Sequence, residues 1–224
     1  MQKSITSSLL LGVATTSITN LALFFGTNSA QAATVQFTDL ASFQANTTGL
    51  TTIDFEGLAG PGGIVNYPSL TTGGVTFTSG QFIYVVDSAF GSPNFNWGSG
   101  ASLMAPGATL LTATLPPGVT AIGSDIMSEV LYSKLFDITL STGETFNLLS
   151  LARPNRKFIG FTSDTAISSI SFLASGTRTE IDNFTFGMAN TAATSVPEPF
   201  TIIGTLVGGT SALRMRKKLK SVRK

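Results

Sequence analysis

The sequence contains no cysteine and no histidine. The missing cysteine excludes disulfides and thiolate ligands, and the missing histidine excludes imidazole-based acid–base catalysis. Together these absences exclude Ser-His-Asp and Cys-His nucleophile systems as well. The glycine-rich stretch 57–63 lacks the Lys-Ser/Thr ending and the following helix of a phosphate-binding loop. The sequence therefore excludes catalysis by histidine or by a cysteine nucleophile and gives no sign of a phosphate-binding loop.

Charged residues are scarce, at 11% of the 224 residues, and they are unevenly distributed. Seven of the 13 Lys and Arg lie in residues 214–224, whereas five lie between residues 33 and 195. That middle stretch holds 11 of the 12 acidic residues, so its net charge is 5 − 11 = −6. An acidic body without a basic patch argues against nucleic acid as a partner.

The first 32 residues have the three parts of a secretory signal peptide. Lys3 supplies the positive charge, residues 9–25 are apolar, and Ala30 and Ala32 form a small-x-small cleavage site. We therefore predict export and a mature chain that begins at Ala33. The alternative is a retained membrane anchor, which the polar residues inside the apolar run disfavour.

The C-terminal region, residues 196–224, has a second ordered pattern. Val196, Pro197, Glu198 and Pro199 come first, an apolar run follows at 200–213, and a basic tail closes the chain. The two prolines predict an extended, accessible segment. As a helix the apolar run would rise about 21 Å, which is shorter than the bilayer core of about 30 Å. The pattern predicts a short hydrophobic helix held transiently in the inner membrane, with the basic tail in the cytoplasm.

This order of parts resembles the PEP-CTERM sorting signal. The resemblance implies processing near Pro197-Glu198-Pro199 by an exosortase-type enzyme and release to the cell surface or extracellular matrix. The alternative interpretation is a simple tail anchor with a proline-rich stalk.

Residues 33–187 read as one all-β domain. A short capped helix with Thr38 or Asp39 as its N-cap is followed by about ten short apolar runs separated by turn residues. This pattern predicts an antiparallel β-sandwich, followed by a small polar spacer at 188–195. In the last predicted strand, simple alternation places Ile181 and Asn183 on one face and Asp182 and Phe184 on the other.

The body also resembles jelly-roll domains. The matching segments are the opening helix, the early strand that ends at Glu56, and several later strands, at residues 37–43, 53–56, 74–77, 158–164 and 181–184. In carbohydrate-binding jelly rolls an early acid and a late acid share a structural calcium ion, so the resemblance implies a calcium site at Glu56 and Asp182. The alternative is that both are solvated carboxylates at strand ends.

Two loops are candidate glycan contacts. Trp97 and Phe95 could stack on sugar rings while Asn94 and Asn96 bond to hydroxyls; the alternative is that Trp97 closes the end of the core. Residues 153–157 hold three of the five cations of the body. We expect them to form a solvated hairpin loop, rather than a contact for anionic polysaccharide.

The sequence thus predicts a non-enzymatic, exported surface or matrix protein that contributes to the matrix or binds glycan. A secreted hydrolase that acts on polysaccharide through two carboxylates, with Asp125 and Glu129 as one possible pair, is the first alternative. A structural or adhesive coat protein without a small ligand is the second.

Overall fold

A computed structural model describes residues 33–90 and 100–190, apart from the side chain of Ser128. The predictions that concern residues 1–32, 91–99 and 191–224 lie outside the described residues. They are the signal peptide, the candidate glycan loop and the sorting signal.

The described chain is built from short strands and one helix. In chain order the elements are β1 (Thr34–Phe37), α1 (Leu40–Ala45), β2 (Thr47–Ile53), β3 (Ile64–Tyr67), β4 (Leu70–Thr72), β5 (Val75–Ser79), β6 (Ile83–Val86), β7 (Ser102–Ala105), β8 (Leu111–Thr114), β9 (Ala121–Ser128), β10 (Leu135–Leu140), β11 (Thr145–Leu149), β12 (Lys157–Ser163), β13 (Ser169–Ala174) and β14 (Thr179–Ala189).

The strands form two sheets that pack face to face. One sheet has eight strands in the order β1-β12-β9-β14-β7-β6-β3, with β2 also paired to β14, and the other has the order β11-β10-β13-β8-β5-β4. All of these pairings are antiparallel. The predicted all-β antiparallel sandwich with one short helix near its N-terminus is therefore confirmed.

The helix begins where the sequence predicts it. Asp39 is the N-cap, and its carboxylate accepts hydrogen bonds from the backbone N–H groups of Ala41 at 3.2 Å and Ser42 at 2.8 Å. Phe43 is fully buried on the outer face of the eight-stranded sheet, with its ring centroid 5.4 Å from that of Phe158. No helix within residues 33–90 and 100–190 is long and apolar enough to cross a bilayer.

Alternating side chains fill the space between the sheets. Along β13, Ile170, Phe172 and Ala174 are buried, as their spacing predicts. Phe77 lies between two other aromatic rings, with centroid distances of 5.4 Å to Phe55 and 5.1 Å to Phe184. These ring contacts and buried side chains hold the two sheets together.

Strand β14 contains an irregularity that simple alternation does not predict. Its register against β9 shifts between Asp182 and Thr185, and Asn183 has a φ of 47°. The extra residue of such a bulge reverses the alternation, so Ile181 and Phe184 both join the core. The prediction that Asp182 shares a face with Phe184 is therefore wrong, since Asp182 lies on the outer face.

The last strand continues to Ala189, two residues past the predicted end of the domain at Gly187. Met188 pairs with Thr48 and Ala189 with Thr47. The first part of the segment interpreted as a spacer is thus in the sheet.

Candidate functional site

Glu56 and Asp182, 126 positions apart in the chain, are brought together at Gly100. A Cβ atom at Gly100 would lie 3.2 Å from Oδ2 of Asp182, 3.2 Å from Oε1 of Glu56 and 3.4 Å from Nη2 of Arg156. Gly100 has a φ of +80°, a conformation that side chains rarely adopt. The backbone conformation therefore favours glycine there, and a side chain would also crowd the three groups that converge on this position.

Each acid reaches this point through the local fold. Glu56 lies in the turn after β2, where its backbone N–H donates to the carboxylate of Asp54 at 3.1 Å. Asp182 is held in β14 directly opposite Asp125 of β9. The sequence predicts both acids at strand ends. The structure corrects this for Asp182, which lies inside β14 and is 1% exposed.

Arg156 supplies the positive charge of the cluster. Its Nη1 lies 2.7 Å from Oδ2 of Asp182 and 3.9 Å from Oδ2 of Asp125. The Arg156 side chain is 19% exposed and that of Asp182 is 2% exposed. The expectation that residues 153–157 form a solvated loop is therefore wrong for Arg156, because the buried carboxylate of Asp182 requires a counter-charge.

The bulge residue completes the cluster. The backbone N–H of Asn183 donates to Oδ1 of Asp182 at 2.6 Å, and its side-chain amide donates to Oδ2 of Asp125 at 2.9 Å. Both oxygens of Asp182 thus have a donor, since Oδ2 faces Arg156.

Burial raises the pKa of Asp182 to about 7. The Asn183 N–H and the Arg156 guanidinium act to lower this pKa, whereas the nearby charges of Asp125 and Glu56 raise it further. Asp182 therefore takes up a proton as the pH falls through about 7, and above that pH it is an anion paired with Arg156.

The cluster as arranged does not fit a calcium ion. Oδ2 of Asp182 faces Arg156 at 2.7 Å, and Oε1 of Glu56 accepts the Ala101 N–H at 2.7 Å. Within residues 33–90 and 100–190, no three or more acidic side chains are grouped in a way that could hold a metal. Calcium at Glu56 and Asp182 stays a prediction, and in this arrangement it requires the guanidinium to leave.

Carboxylates also fix the chain on both sides of residues 91–99, where Trp97 lies. On the N-terminal side, Oδ1 of Asp87 accepts N–H groups from Gly62 at 2.7 Å and Ala89 at 2.9 Å, and these bonds lower the pKa of Asp87. On the C-terminal side, Glu56 holds Ala101 at 2.7 Å. Ala89 and Ala101, which flank the segment in the chain, therefore have defined positions on the sandwich.

Asp125 and Glu129, the acid pair considered for hydrolysis, both accept hydrogen bonds from neighbouring side chains. Glu129 accepts hydrogen bonds from the Thr177 hydroxyl at 2.8 Å and from the Arg178 guanidinium. Asp125 accepts from Asn183 at 2.9 Å. These contacts hold loops and strands together, and Asp182, whose pKa is raised by burial, is nearly inaccessible to a substrate.

Sequence reasoning missed Arg156, Asn183 and Gly100 as members of the cluster. Arg156 was grouped with its neighbours in the chain, although an early and a late acid that meet in a fold need a cation. The sign of the bulge in the sequence is the three-residue spacing between the apolar residues Ile181 and Phe184, on either side of Asn183. Nothing in the sequence distinguishes Gly100 from its neighbouring glycines.

Comparison with protein-family models and with curated proteins finds no match for this chain. Among solved structures it is similar to the family 11 carbohydrate-binding module of a cellulosomal cellulase from Clostridium thermocellum. The identity is 15% and the TM-score 0.30, over 63% of this chain and 95% of the module. It is also similar to two variants of the family 29 module CBM29-2.

The identity is 13% for both variants. The first has a TM-score of 0.29 over 66% of this chain and 100% of the module. The second has a TM-score of 0.27 over 72% of this chain and 98% of the module. Identities this low bear on the fold alone, and TM-scores of this size assign no ligand.

Proposed function

We propose that this chain is an exported, non-enzymatic surface or matrix protein that binds glycan through residues 94–97. The observation that carries the proposal is the fixing of both sides of this segment by Asp87 and Glu56. A short aromatic and amide-rich loop binds sugar well when its ends do not have to be ordered on binding. The sandwich supplies that support.

The state of the acids favours binding over hydrolysis. A two-carboxylate mechanism needs an acid and a base about 5–10 Å apart with room for the sugar between them. Here the space beside Asp182 holds Arg156, and Glu129 is engaged by Arg178 and Thr177. This geometry supports a structural role for the acids.

The glycan proposal is tested by electrophoresis of the wild type through gels that contain neutral or anionic polysaccharides. We expect retardation in at least one gel, its loss in Trp97→Ala, and its retention in Tyr132→Ala, which removes an exposed aromatic elsewhere. Retardation in no gel would favour the structural or adhesive coat protein. A Trp97→Ala variant that unfolds at a much lower temperature would favour the alternative in which Trp97 closes the core.

Export and sorting rest on the two ends of the sequence. We infer cleavage after Ala32 and removal of the tail near Pro197-Glu198-Pro199, after transient insertion of residues 200–213 in the inner membrane. Mass spectrometry of the native protein tests both cuts. A cytosolic protein that retains Met1 and Lys224 would contradict this part of the proposal.

A further inference from the structure

One end of the sandwich combines exposed apolar side chains with cations. Five of the ten exposed large hydrophobic side chains among the described residues are found there, namely Leu131, Tyr132, Leu135, Leu149 and Leu151. We call this group the apolar end. Scattered exposed leucines are ordinary, but a contiguous group marks an interaction site.

Backbone pairing makes the group contiguous. Leu135 and Leu149 are direct cross-strand partners at the ends of β10 and β11. The pairing continues beyond the strands, because Lys134 and Ser150 exchange two hydrogen bonds and the Arg153 N–H donates to the Val130 carbonyl at 3.2 Å. The segments that carry Leu131 and Leu151 therefore run side by side.

Cations border this surface in a body that is otherwise acidic. Nζ of Lys134 lies 4.9 Å from the ring centroid of Tyr132, and Nζ of Lys157 donates to the Leu149 carbonyl at 2.8 Å. Arg153 belongs to the same paired segments. Asp137, the acid nearest to Leu135 in the chain, accepts a hydrogen bond from the side-chain amide of Asn147, and Glu129 faces Arg178.

From this combination we propose that the apolar end docks on a bilayer surface that contains anionic lipid. Leucine side chains and a tyrosine suit the boundary between headgroups and acyl chains, and lysines can extend to the headgroups. Aliphatic side chains gain little from the hydroxylated surface of a polysaccharide. Two copies meeting through this end would bring like charges together. The proposal is independent of glycan binding.

The absence of cysteine allows a direct test on the full chain. Leu149→Cys and Val35→Cys each introduce one thiol for a polarity-sensitive fluorophore, at side chains that are 57% and 54% exposed. Val35 pairs with Thr162, about 17 Å along β12 from Lys157. Each labelled protein is mixed with vesicles of phosphatidylglycerol and phosphatidylcholine, with and without brominated lipid.

We expect a blue shift and quenching for the label at position 149 and neither for the label at position 35. Lys134→Glu combined with Lys157→Glu should weaken vesicle binding reported at position 149 by about tenfold or more, and added salt should do the same. Because the fluorophore reports its own surroundings, binding through residues 200–213 alone would leave position 149 unchanged.

Three results would overturn the proposal. Equal responses at positions 35 and 149, or no response at 149, would mean that this end does not meet the bilayer. A response at 149 to soluble anionic polysaccharide but not to vesicles would assign the surface to that polymer. A shift that grows with protein concentration without vesicles would assign it to a second copy of the chain.

Discussion

Nη1 of Arg156 lies 2.7 Å from Oδ2 of Asp182, a carboxylate that is almost completely buried. This pair joins the segment before β12 to the middle of β14, and Glu56 and Asp125 lie beside it. The contact accounts for why a cluster of acids is tolerated on this face of the sheet. We expect this contact to determine how the stability of the domain responds to pH, to calcium and to mutation.

Replacing Arg156 with Met should leave the Asp182 carboxylate buried without its counter-charge. At about pH 8 we expect the free energy of unfolding to fall by about 3 kcal/mol. At about pH 5 the loss should be smaller, because Asp182 is then protonated. Urea unfolding at the two pH values measures both. An equal loss at both would contradict the pairing. Lys157→Met, which removes a half-buried cation whose Nζ donates to a backbone carbonyl, is the matched control.

The same variant tests the calcium prediction. With the guanidinium removed, Asp125 and Asp182 lose their cation, and a divalent cation can take its place beside Glu56. We expect calcium to raise the melting temperature of Arg156→Met and to leave that of the wild type unchanged. A rise in the wild type that EDTA reverses would instead support calcium at Glu56 and Asp182 in the native protein.

Asp182 should make the protein less stable as the pH rises. Its pKa in the folded state is about 7, above the ordinary value of 3.8, so the folded state binds more protons between these values. Stability from this group is therefore greatest at low pH and falls by up to about 1.4 kcal/mol per pH unit towards pH 7.

The opposite trend belongs to Asp39, Asp87 and Glu144, whose pKa values are lowered by hydrogen bonds. Their contribution is lost as the pH falls through the acid range. Comparing wild type with Asp182→Asn isolates Asp182, because these three groups are common to both proteins. A difference in unfolding free energy that does not change between about pH 5 and pH 8 would contradict the raised pKa.

The packing of the helix on the sheet can be tested at Gly160. A Cβ atom there would lie 2.7 Å from Cδ2 of Phe43 and 3.0 Å from Cε1 of Phe158. Gly160→Ala should therefore cost about 1–3 kcal/mol of stability, since both rings are confined. Gly80→Ala is the control, because no atom lies within 4 Å of its Cβ position. Equal melting temperatures for the two variants would contradict this packing.

Glu56 should fix the C-terminal side of the segment that carries Trp97. Glu56→Ala removes the acceptor of the Ala101 N–H, whereas Glu56→Gln keeps an oxygen in place. We expect Glu56→Ala to lose about 1 kcal/mol of stability and to weaken glycan retention, and Glu56→Gln to be close to wild type. Stability is measured by urea unfolding and retention by gel electrophoresis. Full retention in Glu56→Ala would contradict the supporting role of this carboxylate.

Much of the fold follows from local pattern. The turn residues and apolar runs predict an antiparallel sandwich, and Asp39 before an amphipathic stretch predicts the cap of α1. The described residues form fourteen strands, and the four that the pattern does not predict are β1, β3, β4 and β7, because three or four residues carry too little periodicity. Their position is fixed by neighbouring strands rather than by their own sequence.

The sequence predicts the two acids of the candidate site but neither its arginine nor its bulge. The resemblance to jelly rolls brought Glu56 and Asp182 together, as the structure does. It could not reveal that Arg156 pairs with Asp182 there, since the sequence around Arg156 is typical of a polar loop. The bulge at Asn183 depends on the register of β14 against β9, which no local pattern encodes.

We propose that this protein binds glycan and performs no chemistry on it. The most direct measurement incubates the wild type with a polysaccharide that retains it, and follows both retention and new reducing ends. We predict retention that Trp97→Ala abolishes, with no new reducing ends in any variant. Reducing ends that accumulate with the wild type and disappear in Asp125→Asn or Asp182→Asn would contradict the account.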